Sequence, residues 1–167
     1  MELTSIDYAR LIQYAAQKQH MVLLNKTQIN KILFYVYGVY LAENQLPLFM
    51  DDTPKAWTYG PVSPRFPRPN KSVDINEVIK SFPADKVKAY KANKKALDLV
   101  VKVVDRMYDK SAMSLTQWSH VENSPWYNTV YQKDRDGNII KQRPWNTRIE
   151  DSLIKDYFSK PENRIFG

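Results

Sequence analysis

The sequence predicts a mainly α protein, a single compact helical domain over residues 1–167 with a small antiparallel β element. Three observations lead there. Apolar residues recur at helical spacing in most long stretches, only residues 55–59 have the clear composition of a strand, and no repeat, low-complexity tract or long linker divides the chain. At 43% hydrophobic and 13% aromatic, the composition is too apolar for a disordered tail, and 167 residues can build a core without staples. Cysteine is absent, which excludes disulfides, thiol nucleophiles and cysteine metal sites and fits a cytoplasmic protein. No apolar run is long enough for a membrane span, and the opening MELTSIDYARLIQ lacks the basic-then-apolar order of a signal peptide. Neither membrane insertion nor a leader is therefore expected.

Thr4 or Ser5 caps a first helix, with Asp7 at the capping-box position for Thr4. Ile6, Ala9, Ile12, Ala15 and Ala16 form its apolar face to about residue 19. Asn25 or Thr27 caps a second helix over residues 27–44. Ile29, Ile32, Leu33, Val36 and Tyr40 repeat at three and four, and Phe34, Tyr35, Val39 and Leu41 fill the flanks. A helix apolar over most of its girth belongs at the centre of a core. Gly38 inside it costs about 1 kcal/mol relative to Ala, so close helix packing is the expected compensation.

The helix stops before Leu46-Pro47-Leu48-Phe49, and residues 51–54 form a turn. Residues 55–59 read as a strand that Gly60-Pro61 ends, with Trp57 and Tyr59 two apart and so on one face. Pro61, Pro64, Pro67 and Pro69 predict an extended stretch to about Lys71, then a short helix over 73–81 and a break at Pro83. A long helix over 85–109 places Tyr90, Leu97, Val100, Val101, Val104, Met107 and Tyr108 on one arc. Residues 113–120 form another helix. Ser124-Pro125-Trp126 has the cap-then-proline order of a helix start, giving a helix to about Tyr131. Asp136-Gly137 is a turn with Ile139-Ile140 as a strand beside it, inside a polar, charged loop over 132–144. Thr147-Arg148-Ile149-Glu150 is a capping box for a last helix, apolar at Ile149, Leu153, Ile154, Tyr157 and Phe158 and ended by Pro161.

The 25 Lys+Arg against 18 Asp+Glu leave a net charge of +7. Residues 1–84 hold nine basic and seven acidic side chains, residues 85–167 sixteen and eleven. Lys86, Lys88, Lys91, Lys94 and Lys95 cluster without an intervening acid. Along the long helix, Lys88, Lys91, Lys95, Lys102 and Arg106 lie opposite the apolar arc, but Asp98, Asp105 and Asp109 share their side. A solvated helix face accounts for this mixture, since a surface that tracks phosphates rarely interleaves acids. A nucleic-acid-binding protein using the basic face 86–95 is the alternative that the charge keeps open.

Catalytic equipment is sparse. His20 and His120 are the two histidines, so an HExxH zinc site is excluded, and four glycines leave no phosphate loop or dinucleotide fingerprint. Asp51-Asp52 are adjacent carboxylates in a turn, and a hydrolase built on Asp51, Asp52 or His120 is a third reading. No catalytic residue, metal ligand or cofactor is assigned, and no enzymatic activity is expected. The aromatics Trp57, Tyr59, Trp118, Trp126 and Trp145 fit core packing, or a partner-binding surface where such residues concentrate binding energy.

The order of motifs adds a resemblance. Thr27-Gln28-Ile29-Asn30-Lys31-Ile32-Leu33-Phe34-Tyr35, Tyr40-Leu41-Ala42, Pro47-Leu48-Phe49 and Ala56-Trp57-Thr58-Tyr59-Gly60-Pro61-Val62-Ser63-Pro64 look like the Panacea domain, the family of SocA-like antitoxins and phage-associated GepA-like proteins. Leu115-Thr116-Gln117-Trp118-Ser119-His120, Ser124-Pro125-Trp126 and the closing Asp156-Tyr157-Phe158 resemble the family's second half. The chain departs from the pattern at Phe66-Pro67-Arg68-Pro69, where the family usually continues in helix, and in the insertion over 132–144.

The resemblance implies an antitoxin of a bacterial or prophage toxin–antitoxin pair. Such a protein neutralises its cognate toxin by direct protein contact, in some members as an adaptor that delivers the toxin to a cytosolic protease. The toxin would be encoded by the adjacent gene, and nucleic acid is not the expected partner. Trp57, Tyr59, Gly60, Pro61, Trp118, His120 and Trp126 are the family-motif residues and the candidate partner-binding centre, in which His120 is placed to give or accept one hydrogen bond that orients the Gly-Pro turn.

Overall fold

The computed structural model describes residues 3–58, 60–63, 93–144 and 146–166. Tyr59, Trp145, the proline-rich stretch after Ser63, the helix expected over 73–81, the break at Pro83, Tyr90 and the basic residues Lys86, Lys88 and Lys91 lie outside the described residues. The described chain runs α1 (Ser5–His20), α2 (Lys26–Asn44), β1 (Lys55–Trp57), β2 (Gly60–Val62), α3 (Lys94–Met107), α4 (Ala112–Ser119), α5 (Pro125–Val130), β3 (Tyr131–Lys133), β4 (Ile139–Gln142), β5 (Thr147–Arg148), α6 (Asp151–Ser159) and a closing 3-10 turn, Pro161–Asn163. It is mainly α, with few short antiparallel strands.

Thr4 and Asp7 form the capping box that opens α1, and Asn25 and Gln28 form a second one at α2. Every residue from 31 to 39 is buried, so α2 is enclosed on all sides. The helices α1, α3, α4 and α6 and the strand β2 all pack on it. Gly38 shows why α6 comes so close: a Cβ there would overlap the ring of Phe158. The same ring meets Tyr35 edge-on at 5.5 Å and Phe34 at 5.8 Å. The Tyr37 hydroxyl donates to Asp151 Oδ1 at 2.8 Å, tying the first turn of α6 to the same helix. His20 at the end of α1 stacks on Tyr108 with centroids 3.6 Å apart and bonds Asp105 Oδ1 at 2.7 Å, joining α1 to α3.

Several expectations need correction. Helix α3 opens at Lys94, where Asn93 leaves helical geometry and its side chain accepts the Ala96 N–H as an N-cap, so the continuous helix expected over 85–109 is interrupted at Asn93, and residues 85–92 lie outside the described residues. Its buried side is Ala96, Leu99, Val100, Val103, Val104 and Met107, so the buried arc is rotated from the expected one and leaves Leu97 and Val101 half-buried. Thr147 does not cap the last helix: it pairs with Ala56 in β5 and its hydroxyl donates to Pro144 O, while α6 starts after Glu150 without a side-chain cap. The strand over 55–59 stops at Trp57, and Gly60-Pro61 continues the pairing instead of ending it. Pro61 sits opposite Ala56 on β2, the edge of a sheet ordered β2-β1-β5, where a missing N–H is tolerated. The expected loop over 132–144 contains a second, two-stranded antiparallel sheet of β3 and β4.

The Gly38 contact yields a test. Gly38→Ala is expected to destabilise the fold by about 1–3 kcal/mol in urea titration, because a filled core cannot absorb a methyl group without displacement. Adding Phe158→Leu is expected to recover part of that loss, and two additive effects would contradict the contact.

Candidate functional site

The β1–β2 hairpin is gripped from three directions by side chains that donate to its backbone. Ser124 caps α5 by accepting the Tyr127 N–H, and its own hydroxyl donates to Ser119 O at 3.2 Å, which fixes the corner between α4 and α5. Pro125 at the first helical position then places Trp126 against β1. Its indole Nε1–H donates to Trp57 O at 2.7 Å. His120, the C-cap of α4, donates from Nε2 to Thr58 O at 2.9 Å. Lys31, one turn into α2, donates from Nζ to Pro61 O at 3.2 Å. The rings of His120 and Trp126 lie 4.0 Å apart at 51°, so two of the three donors also brace each other.

Gly60 is where Lys31 and His120 converge, together with Ser119. Its φ of +110° is one that a side-chain-bearing residue rarely adopts. A Cβ there would stand 2.5 Å from Ser119 Oγ, 2.9 Å from Lys31 Nζ and 3.2 Å from His120 Cε1. Trp57 closes the far side by donating Nε1–H to Asn146 Oδ1 at 2.8 Å, and Asn146 returns its N–H to Ala56 O.

The chemistry available is mostly committed. His120 Nδ1 faces Thr116 O at 2.7 Å, so each ring nitrogen has a carbonyl oxygen before it. The Ser119 hydroxyl donates to Thr116 O at 2.8 Å. Lys31 is 1% exposed and makes no ion pair among the described residues. Burial disfavours its charged form and pulls its pKa from the ordinary 10.5 to about 7. Asp51, one of the carboxylates considered for hydrolysis, spends both oxygens on Ser5, whose N–H and hydroxyl each donate at 2.8 Å. Asp52 accepts the Thr53 N–H. Among the described residues no group of three or more His, Asp or Glu side chains is arranged to hold a metal ion.

The structure thus brings together Trp57, Gly60, Pro61, His120 and Trp126. Trp118 stands apart from them. Its ring packs on Phe34, Tyr35, Phe158 and Phe166 in the core, and its buried indole N–H has no partner among the described residues. Tyr59 lies outside the described residues. Sequence reasoning missed Lys31 and Asn146. The signal for Lys31 was a cation inside a helix apolar over most of its girth, where a charge is rarely buried without a reason.

Lys31 makes stability depend on pH in a defined direction. Between about 7 and 10.5 the unfolded chain holds a proton on this amine that the folded chain lacks, so stability rises with pH across that window. The slope approaches about 1.4 kcal/mol per pH unit in its middle. The wild-type melting temperature is therefore expected to climb from pH 7 to pH 9, before tyrosine ionisation opposes it. Tyr8, for example, is pushed up by burial to about 12 and is destabilising when the unfolded chain ionises near 10. Lys31→Met is expected to melt higher than wild type at pH 7 and to flatten the climb, as replacement of a buried charge by an apolar side chain often does. An unchanged climb in the variant would exclude Lys31 as its source.

A family model described as antitoxin SocA-like, Panacea domain, matches residues 29–127, more than half of the 167-residue chain. No curated protein and no solved structure matches it. The matched segment begins in α2, contains Lys31 and the whole β1–β2 hairpin, and closes just after His120 and Trp126, so all three donors of the grip and all three carbonyls they hold fall inside it. The chain belongs to the family of SocA-like antitoxins that carry the Panacea domain.

Proposed function

We propose that this protein is the antitoxin of a bacterial or prophage toxin–antitoxin pair and neutralises its toxin in the cytoplasm by direct protein–protein contact, without a catalytic step. The observation that carries the reading is the family match across residues 29–127. The geometry supports it. Trp126, His120 and Lys31 direct their N–H groups at main-chain carbonyls of the hairpin, an arrangement that stiffens a backbone rather than one that poises a nucleophile against a base. A stiffened surface binds a partner with less ordering cost than a mobile one. The absence of a membrane-spanning helix among the described residues is compatible with this role.

The nucleic-acid reading has less support. On α3, Lys94 is paired with Asp98 at 3.0 Å and Asp105 is exposed along with Lys102 and Arg106, and Asp109 is exposed just past its end. The adaptor form of the antitoxin reading adds a cytosolic protease as a second partner, and a shortened half-life of the bound toxin is its signature.

Co-expression with the protein encoded by the adjacent gene tests the proposal. The neighbour alone is expected to arrest growth, and this chain is expected to restore it and to co-purify with the neighbour. A neighbour that is harmless alone, or that forms no complex, would remove the reading's main support. The double variant Trp57→Ala, His120→Ala tests the hairpin as the functional centre. It is expected to keep its helical circular dichroism and to lose at least about tenfold in affinity for the neighbour, which is about 1.4 kcal/mol. A folded variant with unchanged rescue would confine these residues to holding the fold.

A further inference from the structure

The β3–β4 hairpin is the most exposed ordered element among the described residues. It leaves the body at Val130 and returns at Asn146, and both roots are fastened to the gripped strand β1. At the first root, α5 holds β1 through Trp126, whose ring meets Tyr131 at 6.2 Å. At the second, Asn146 bonds Ala56 O and Trp57 Nε1, and Thr147 pairs with Ala56. Arg143 N–H donates to Val130 O at 2.7 Å and closes the base. At the tip, Asp134 accepts the N–H groups of Asp136 and Asn138, both at 2.9 Å, so the turn is braced as well. The result is a projecting arm held at its roots and at its tip.

The side chains on this arm are unusual for a solvated hairpin. Ile139 and Ile140 are adjacent and 54% and 65% exposed. A β-bulge in the ladder interrupts the strict alternation that would send one of two neighbours inward. Lys141 follows the pair and Arg135 lies in the tip turn, and neither makes an ion pair among the described residues, whereas Lys133 is committed to Glu122 at 2.8 Å and to the Tyr127 ring at 5.0 Å. An aliphatic anchor with a charged rim is the anatomy of a binding hot spot. The arm also follows the segment that the family model describes, which ends at residue 127.

We infer that the β3–β4 arm is a docking element for a protein partner, seating Ile139 and Ile140 in an apolar pocket whose rim carries carboxylates that meet Arg135 and Lys141. The inference rests on the antitoxin reading, with the toxin as that partner. Charge selects this occupant. A second copy of the chain would bring another basic arm and a net charge of +7 against the first. A phosphate backbone offers no pocket for two isoleucines and meets Asp136 at the tip.

The test uses the full chain and the protein encoded by the adjacent gene, with binding measured by calorimetry. Ile139→Asp with Ile140→Asp is expected to bind at least about 30-fold more weakly than wild type, the loss associated with a hot spot. Its melting temperature is expected to stay near that of wild type, because both side chains are exposed. Arg135→Glu with Lys141→Glu is expected to slow association and to weaken its dependence on salt. Wild-type binding that both double variants retain overturns the docking inference and leaves the antitoxin reading standing. No complex with the wild-type chain overturns the reading and the inference with it. Sedimentation of the chain alone, and titration with a fluorescein-labelled 20-nucleotide duplex and single strand, complete the test. A dimer dissolved by the isoleucine substitutions, or nucleic-acid binding abolished by the charge reversals, would assign the arm to another partner and overturn the inference.

Discussion

The burial of α2 on every side is the constraint on which the rest of the structure depends. From Lys31 to Val39 no residue reaches solvent, so the neighbouring elements must supply a complete sheath. That requirement explains why four other helices and β2 converge on one segment. It also explains the two residues that look out of place in it. Gly38 removes a side chain so that Phe158 can approach, and Lys31 places the one cation of the buried stretch beneath the hairpin. An isolated buried ammonium is costly, whereas a neutral amine that still donates to Pro61 O is tolerable, and the lowered pKa is the expression of that compromise.

The grip on the β1–β2 hairpin then follows from local rules acting at separate places. Ser124 and Pro125 aim Trp126, the end of α4 delivers His120, and Gly60 supplies both the backbone angle and the vacant volume that let His120 and Lys31 approach the turn. Three donors hold three carbonyls of a hairpin whose two strands are three residues each, too short to be stable on side-chain pairing alone. Fastening the arm to the same strand means that a disturbance at Trp57 or Asn146 is transmitted to the roots of an element that reaches well away from the core.

How much of this was legible in the sequence depended on range. Helix caps are local, and the Thr4-Asp7 capping box and the Ser124-Pro125 helix start stand where the residues predict them. The apolar girth of α2 pointed to a central helix, and Gly38 to a close approach, because both are intrinsic to one segment. Failures occurred where a distant partner outbid a local signal. Thr147 has the pattern of a cap, but the free edge of β1 offers it backbone pairing instead. Pro61 reads as a strand breaker, yet the edge position removes the penalty. Asn93 was overlooked as a start because the lysines before it carry a helical pattern of their own. In the site, Trp57, Gly60, Pro61, His120 and Trp126 were recognised through their motif order, whereas Lys31 and Asn146 act across a separation that no spacing rule encodes.

Trp118 separates from the other tryptophans in a way that has optical consequences. Its indole sits buried among Phe34, Tyr35, Phe158 and Phe166 with an N–H that bonds no described residue, the setting of a chromophore emitting at the blue end of its range. Trp57 and Trp126 instead donate to polar acceptors at the hairpin, and Trp126 lies against an imidazole that can quench it. Among the described tryptophans, intrinsic fluorescence therefore carries two separable signals, a core band that reports on global unfolding and a hairpin band that responds to events at the site while the core remains intact.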